Sequence, residues 1–195
     1  MTTVTCDMTV SADGYAAGEN QSLQHPLGEG GELLHAWRGD DENAVESAAV
    51  TEAGAYIMGR NMFGPGRGEW DTEWTGWWGE DPPYHAPVFV LTHYPRATLT
   101  MQGGTTFTFV TDGIESALAQ ARAAAGEKSV AIAGGAATVR QYLSALLIDE
   151  LRLHIAPIVQ GSGEPVLPGL SDLNLERVSS VERQQVTHVT YRAVR

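Results

Sequence analysis

The pair of glycines at positions 134 and 135 is the feature of this sequence that most restricts its fold. An apolar run, 130–133, precedes the pair, and a helix-forming stretch begins at residue 136. That order predicts a buried strand, a tight turn and then a helix. The first N–H groups of a helix lack intrahelical partners and lie at the positive end of its dipole. Because glycines let a ligand approach the backbone closely, the turn predicts a seat for a phosphate group, although a plain tight connection would look the same.

The rest of the chain repeats this alternation of short apolar runs and helical patterns. Apolar residues recur at helical spacing in 114–125, whereas 88–92 is a short continuous run, as in a buried strand. The alternation predicts an α/β fold with a mixed, mostly parallel central sheet, helices on both faces and antiparallel C-terminal strands. The predicted strands are 4–10, 55–58, 88–92, 105–111, 130–133 and 150–156, with a hairpin in 175–194, and the predicted helices are 32–37, 42–53, 114–125 and 136–147.

Length and charge narrow the class of protein. The chain of 195 residues is predicted to form one domain, 1–195. Its 24 acidic residues against 12 Lys and Arg give a net charge of −12, which argues against nucleic acid or an anionic membrane as a partner. We predict no leader and no membrane-spanning segment. The single cysteine, Cys6, excludes an internal disulfide, so a cytoplasmic protein is predicted.

Turns rich in glycine and polar residues follow four of the predicted strands. In an open α/β sheet, ligands bind outside the carboxyl ends of the strands, so these turns together predict a nucleotide site. Arg60 could clamp a phosphate there, with Thr92 and His93 donating hydrogen bonds to the same group. Arg60 could instead pair with a surface carboxylate. The four turns are 11–14, 59–61, 92–93 and 134–136.

Two further features allow more than one interpretation. Asp13 stands at the end of the first predicted strand, where a carboxylate could contact a substrate or transfer a proton, or could bond the backbone of its own turn. The segment 64–87 is rich in Gly, Pro and Trp, which predicts a long loop. Its tryptophans could form an aromatic wall for a heterocycle, or could belong to the core or to a dimer interface.

Several common site signatures are absent from the sequence. There is no Cys-x-x-Cys and no His-Glu-x-x-His, and His35 and His85 have no partner at ligand spacing, so no metal site is predicted. The Gly-x-Ser-x-Gly nucleophile elbow and the Rossmann dinucleotide fingerprint are missing as well. Any nucleotide is therefore expected to be held in another way.

The order of these turns resembles the dihydrofolate reductase-like fold, in particular the reductase domain at the C-terminal end of the RibD proteins of riboflavin biosynthesis. The resemblance covers nearly the whole chain. Its marks are SADGY at 11–15, MGRNMF at 58–63, VLT at 90–92, AGGA at 133–136, and DEL at 149–151 leading to IAPIVQGSGEP at 155–165.

This resemblance implies an NADPH-dependent oxidoreductase that transfers hydride to a small heterocyclic substrate, of the kind found in riboflavin or pterin pathways. It also implies a homodimer. Arg60 would lie near the 2′-phosphate of the cofactor, and the glycine pair would face its pyrophosphate. In full, the resemblance assigns NADPH to Val10, Ser11, Ala12, Gly59, Arg60, Asn61, Thr92, His93, Gly134, Gly135, Ala136 and Thr138, and the substrate to Asp13, Ile158 and Gly161, with Asp13 as the catalytic residue.

Two departures from the family pattern bear on function. Dihydrofolate reductases usually have Thr at the position of Met62, so one cofactor contact is missing. The riboflavin enzymes carry an Asp-Asp-Pro segment where this chain has the stretch 64–70, which ends in a tryptophan. These differences point away from the riboflavin intermediate as substrate, and they keep open an alternative, a non-catalytic ligand-binding protein of the same fold.

Overall fold

One sheet contains all nine strands of the computed structural model, which describes residues 2–194. The strands are β1 (Val4–Ser11), β2 (Ala55–Gly59), β3 (Pro87–Leu91), β4 (Leu99–Thr100), β5 (Thr106–Val110), β6 (Val130–Gly134), β7 (Glu150–Ala156), β8 (Asn174–Glu182) and β9 (Thr187–Val194). Their order across the sheet is β4-β5-β3-β2-β6-β1-β7-β9-β8. The six strands from β5 to β7 are parallel, and β4, β8 and β9 pair antiparallel. The predicted fold class is therefore confirmed; the single domain 1–195 stays a prediction.

Long-range pairing places β1 at the centre of this sheet. Val4 pairs with Val130 of β6, and Thr5 pairs with Glu150 of β7. The ladder with β7 continues to the end of β1, whereas the ladder with β6 covers only Val4 to Cys6. The carboxyl half of β1 is therefore paired with β7 only.

Four α-helices and three 3-10 helices connect the described strands. They are α1 (Ala44–Ala49), α2 (Arg60–Phe63), α3 (Ile114–Ala125) and α4 (Ala136–Ser144), with 3-10 helices at Gly31–Gly39, Asp41–Asn43 and Gln102–Gly104.

The main core lies between the sheet and helices α3 and α4. Side chains of a strand alternate between its two faces, so Val4, Cys6, Met8 and Val10 of β1 point into this core while the residues between them face the other way. Helix α3 adds a buried stripe at helical spacing. That stripe consists of Ala117, Leu118, Ala121 and Ala125.

The opposite face of the sheet is covered in two parts. Under the loop 64–86, Tyr56, Met58, Val88, Val90 and Phe107 form a second core. Over β1 and β7 lies the 3-10 helix Gly31–Gly39, whose Leu34 and Trp37 are buried.

Four elements differ from the predictions. The helix predicted at 42–53 is the shorter α1 after a 3-10 turn, because α1 buries none of its side chains and so gains little from packing. Helix α4 ends at Ser144 rather than at 147, since Leu146 takes a left-handed φ of 53° and the N–H of Leu147 bonds back to the carbonyl of Tyr142. The two-residue strand β4 was not predicted, and the helix predicted at 32–37 is of the 3-10 kind.

Candidate active site at the carboxyl edge of the sheet

The ends of three neighbouring strands bring the predicted turns together. Strand β2 lies between β3 and β6, with Gly59 paired to Leu91 and Met58 paired to Gly134. Arg60, Thr92 and the glycine pair therefore leave the sheet side by side. The starts of α2 and α4 also touch, because a Cβ built on Gly134 would lie 3.1 Å from the sulfur of Met62.

The glycine pair forms an open turn at the start of α4. Gly134 has a φ of 130°, a conformation that favours glycine, and its peptide bond to Gly135 is cis. A Cβ built on Gly135 would meet no atom within 4 Å, so the space outside this residue is free. The N–H groups of Thr138 and Val139 bond the carbonyl of Gly135. The earlier N–H groups of the nine-residue helix are those that helix geometry leaves for a ligand or for water.

Thr138, which the resemblance assigns to the cofactor, lies behind this turn. Its side chain is buried, and a Cβ on Gly59 would come within 2.3 Å of its hydroxyl oxygen. Only glycine at position 59 leaves room for that hydroxyl. Thr138 therefore fixes the distance between the turns at Gly59 and Gly134 instead of facing the open space.

Arg60 points its guanidinium group at the loop that follows α2. Nη1 donates to the carbonyl of Gly68, and Nη2 donates to the carbonyl of Glu69 at 3.2 Å. The group stacks on Trp70, with Cζ 3.9 Å from the ring centroid, and lies 5.2 Å from the ring centroid of Tyr94. Its partners are thus backbone carbonyls and not the surface carboxylate considered above. Partial burial lowers the pKa of Arg60.

Arg96 is a second arginine of this edge, and the sequence did not single it out. Its Cζ lies 5.3 Å from the ring centroid of Trp70 and 5.2 Å from that of Phe109, and its Nη2 donates to the carbonyl of Thr72 at 2.9 Å. Nη1 of Arg96 and Nε of Arg60 are buried without a hydrogen-bond partner among residues 2–194. Arg60 and Arg96 therefore place two positive charges on the indole of Trp70, although the net charge of the protein is −12.

The remaining residues assigned to this half of the site shape its turns. Thr92 is buried, and its hydroxyl accepts the N–H of Tyr94 at 3.1 Å. His93 is exposed beside it. Asn61 is exposed and accepts a hydrogen bond from Nη1 of Arg67. Ala136 is buried at the start of α4, so only its backbone can reach a ligand.

Asp13 closes the other half of the edge. Its Oδ1 accepts hydrogen bonds from the Ser11 hydroxyl at 2.6 Å and from the N–H of Gln160 at 2.9 Å, and its Oδ2 accepts the N–H of Gly161 at 2.8 Å. These donors, the Ser11 hydroxyl above all, lower the pKa of Asp13 to about 2. The carboxylate therefore joins the end of β1 to the loop after β7 and is ionised at neutral pH.

The neighbours of Asp13 lie at the same edge of the sheet. The N–H of Ala12 bonds the carbonyl of half-buried Ile158 at 2.8 Å. The side chain of Val10 faces the main core, and that of Ser11 is buried and already bonded, so both can reach a ligand only through their backbone. Gly161 has a φ of 78° and open space around it.

The tryptophan-rich loop belongs in part to the second core. Trp70 packs on Phe63 and Phe109, and Trp78 packs on Tyr84 and Phe107. Of the interpretations left open by the sequence, these contacts favour core packing. The remaining tryptophans of the loop, Trp74 and Trp77, contact one another, and Trp74 Nε1 donates to the carbonyl of Phe63 at 2.9 Å.

A comparison with protein families decides the relationship. The family model of the RibD C-terminal domain matches residues 2–189. The chain belongs to the RibD C-terminal domain family. The predicted family is therefore confirmed. None of the curated proteins matches the sequence.

Solved structures agree with this membership. A protein assigned to riboflavin biosynthesis in Shewanella sp. PV-4 is 26% identical, with a TM-score of 0.68 and 99% of both chains covered. A pyrimidine reductase-like protein from Corynebacterium diphtheriae is 16% identical, with a TM-score of 0.61 and 100% and 92% of the two chains covered. A deaminase/reductase from Thermotoga maritima is 14% identical, with a TM-score of 0.62, and here the match covers 99% of this chain but 57% of the other. The last two likenesses show the fold alone.

Within residues 2–194, no group of three or more His, Cys, Asp or Glu side chains is arranged to hold a metal ion. Over the same range, no helix combines the length and the apolar character that crossing a bilayer needs.

Proposed function

We propose that this member of the RibD C-terminal domain family is an NADPH-dependent reductase of a small heterocyclic substrate. The observation that carries the proposal is the open glycine turn at Gly134 and Gly135, which follows β6 at the carboxyl edge of the sheet. Crevices at the carboxyl ends of parallel strands are where α/β sheets bind nucleotides. Bound NADPH would supply the hydride, and the protein need only orient it and exclude water.

Two groups of residues fit the anionic parts of this cofactor. The first N–H groups of α4, with the empty space outside Gly135, suit the pyrophosphate. Arg60 and Arg96, whose guanidinium groups both lie on the ring of Trp70, suit the 2′-phosphate. Both sites are local, so they can hold an anion in a chain whose net charge is −12.

In this proposal Asp13 positions the substrate wall and does not supply the proton. Both of its oxygens accept hydrogen bonds, and a carboxyl group with a pKa of about 2 is almost never protonated at pH 7. Its role is to hold the backbone of Gln160 and Gly161 beside the end of β1. The substrate would then lie between that backbone and the glycine turn.

A pH titration tests the role of Asp13. Because its pKa is lowered from the ordinary value of 3.8 to about 2, its contribution to stability is complete above about pH 5 and is lost as the pH falls through 2 to about 1. We expect wild type to be more stable than Asp13→Asn from about pH 5 to about pH 8, and the difference in unfolding free energy to shrink steadily below about pH 4 and to be nearly gone at about pH 1. Urea denaturation at each pH measures it. Asp112→Asn is the control, and a difference independent of pH would contradict the assignment.

Binding and turnover test the function itself. Titration of the purified protein with NADPH, followed by tryptophan emission, should show saturable binding, and a flat response up to about 1 mM would overturn the proposal. A panel of pterins, pyrimidines and quinones then tests catalysis by NADPH oxidation.

A non-catalytic binding protein is the second candidate. It is favoured by Met62, which stands where the folate enzymes have Thr and whose sulfur packs at the glycine turn. Saturable NADPH binding without oxidation by any compound of the panel would support this candidate over the reductase.

Assembly and compartment complete the proposal. We expect a cytoplasmic homodimer with small molecules as its ligands. Sedimentation equilibrium of the 20.9 kDa chain tests the dimer, and a monomer at all concentrations would contradict it.

A further inference from the structure

A buried row of polar side chains lies on the sheet face beneath the 3-10 helix Gly31–Gly39, away from the glycine turn. Its members are His154 of β7, His188 of β9, Asp7 of β1 and Asn43. The side chains of His154 and Asp7 are only 3% and 7% exposed. The proposed reductase chemistry uses none of these groups.

The positions of the hydrogens follow from the partners. Asn43 Nδ2 donates to the carbonyl of Trp37 at 3.0 Å, so the amide oxygen of Asn43 faces Nε2 of His188 at 2.9 Å. An amide oxygen can only accept, so His188 carries a hydrogen on Nε2. The Nδ1 atoms of His188 and His154 are 2.7 Å apart, which requires one hydrogen between them.

The charge of the His154–His188 pair then decides whether His154 Nε2 can donate to Asp7. If the pair is neutral, the hydrogens are used up and His154 Nε2 presents a lone pair to Asp7 Oδ1 at 3.4 Å. Two acceptors would face each other there, and both atoms lack a hydrogen-bond partner among residues 2–194. One added proton converts Nε2 into a donor aimed at the carboxylate. A second added proton would put hydrogens on both Nδ1 atoms at 2.7 Å, which is repulsive.

We propose that the His154–His188 pair binds one proton, with Asp7 as counter-ion, and that this proton locks the 3-10 helix Gly31–Gly39 onto the sheet. The proton comes from solvent through a cavity of about 430 Å³ that Asp7, His154 and His188 line, and it forms an N–H bond at His154 Nε2. Trp37 links the 3-10 helix to the histidine pair. Its ring packs on both imidazole rings, at centroid distances of 4.8 and 5.0 Å, and its carbonyl accepts a hydrogen bond from Nδ2 of Asn43.

The surrounding charges are of both signs. Burial, and then the charge on His154, lower the pKa of His188, which agrees with a neutral His188 beside a charged partner. Burial, Arg38 and His154 lower the pKa of His35 to about 4, so His35 does not compete for the proton. The titratable and charged groups around the pair are Asp7, Arg152 and Glu150 from the strands, Glu46 from α1, His35 and Arg38 from the 3-10 helix, and Glu52, Lys128 and Arg183 from loops.

Nitrogen NMR of the imidazole rings tests the proposal, with exposed His25, His85 and His93 as internal references. At pH 7 we expect His154 to carry hydrogens on both nitrogens and His188 to be neutral with its hydrogen on Nε2. A neutral His154 in wild type at pH 7 would overturn the proposal. This readout needs no variant, so it remains decisive if a variant fails to fold.

The variant Asp7→Asn separates a proton lock from simple packing. Its amide oxygen can still accept from Arg152, while its NH₂ group can donate to the lone pair of a neutral His154, so the extra proton is no longer needed. We expect His154 to be neutral in Asp7→Asn and charged in the control Glu150→Gln, which removes the other carboxylate partner of Arg152. The same charge state in both variants would overturn the proposal.

Amide hydrogen exchange measures how firmly the 3-10 helix is held on the sheet. In wild type, the amides of 31–43 should exchange at least about tenfold faster at pH 9 than at pH 7, after correction for the intrinsic pH dependence, because loss of a charge-assisted hydrogen bond releases the helix. In Asp7→Asn, the corrected exchange rates should be the same at both pH values. Equal changes in the two proteins would show that the proton does not hold the helix.

Discussion

The substitution Gly135→Asp is expected to raise the Kd for NADPH at least about a hundredfold. A carboxylate about 4 Å from a phosphate, at an effective dielectric constant of about 20, costs about 4 kcal/mol before screening by salt. The new side chain would extend into the space outside the turn, where a Cβ meets no protein atom within 4 Å. Isothermal titration with NADPH measures the change.

Two controls separate charge from shape in this experiment. Gly135→Ala adds a methyl group to the same space without a charge, and we expect a smaller loss, of about tenfold. Gly39→Asp adds the same charge at the end of the 3-10 helix, at a glycine that also has no neighbour within 4 Å of its Cβ and no positive φ. NADPH affinity in Gly135→Asp that equals the affinity in Gly39→Asp would show that the turn does not hold the cofactor.

Removal of Arg60 or Arg96 should weaken NADPH selectively. A charge-assisted hydrogen bond contributes about 1.5–3 kcal/mol, so each change to Ala should raise the Kd for NADPH about 10- to 150-fold. NADH lacks the 2′-phosphate and should lose much less. Titration of each variant with NADPH and with NADH gives the ratio of the two affinities, which is compared with the ratio in wild type.

A third arginine of the same edge provides the control for this series. Arg67 is exposed and bonds Asn61 and a carbonyl of its own loop, so Arg67→Ala should leave the NADPH to NADH ratio close to that of wild type. If Arg60→Ala and Arg96→Ala weaken both cofactors equally, the arginines support the loop and do not recognise the phosphate.

The positions of strands and helices were predictable because the buried residues of each element recur at a regular spacing along the sequence. The run 88–92 and the spacing in 114–125 both gave elements close to those observed, β3 and α3. Prediction failed where packing is weak. Helix α1 buries nothing, and β4 is two residues long, so neither has a pattern long enough to fix its bounds.

The site was predictable only in part, because sequence shows strand ends but not loop contacts. The turns at Gly59 and Gly134 follow adjacent parallel strands, and adjacency follows from the fold. Arg96 meets Arg60 on Trp70 because of how the long aromatic loop packs. The spacing of residues in the sequence does not predict that packing. The only signal for Arg96 was its place four residues after Thr92, in the loop that leaves a neighbouring strand. Asp13 was recognised, but the N–H groups of Gln160 and Gly161 that bond it lie 147 and 148 residues away along the chain.

The central position of β1 has a consequence for synthesis on the ribosome. Strand β1 pairs with Val130 and Glu150, so it has no place in the sheet until those later residues have been translated. During that interval Val4, Cys6, Met8 and Val10 remain without their final neighbours. The segment that carries β1 is therefore a natural target for chaperones that bind short apolar stretches of a nascent chain.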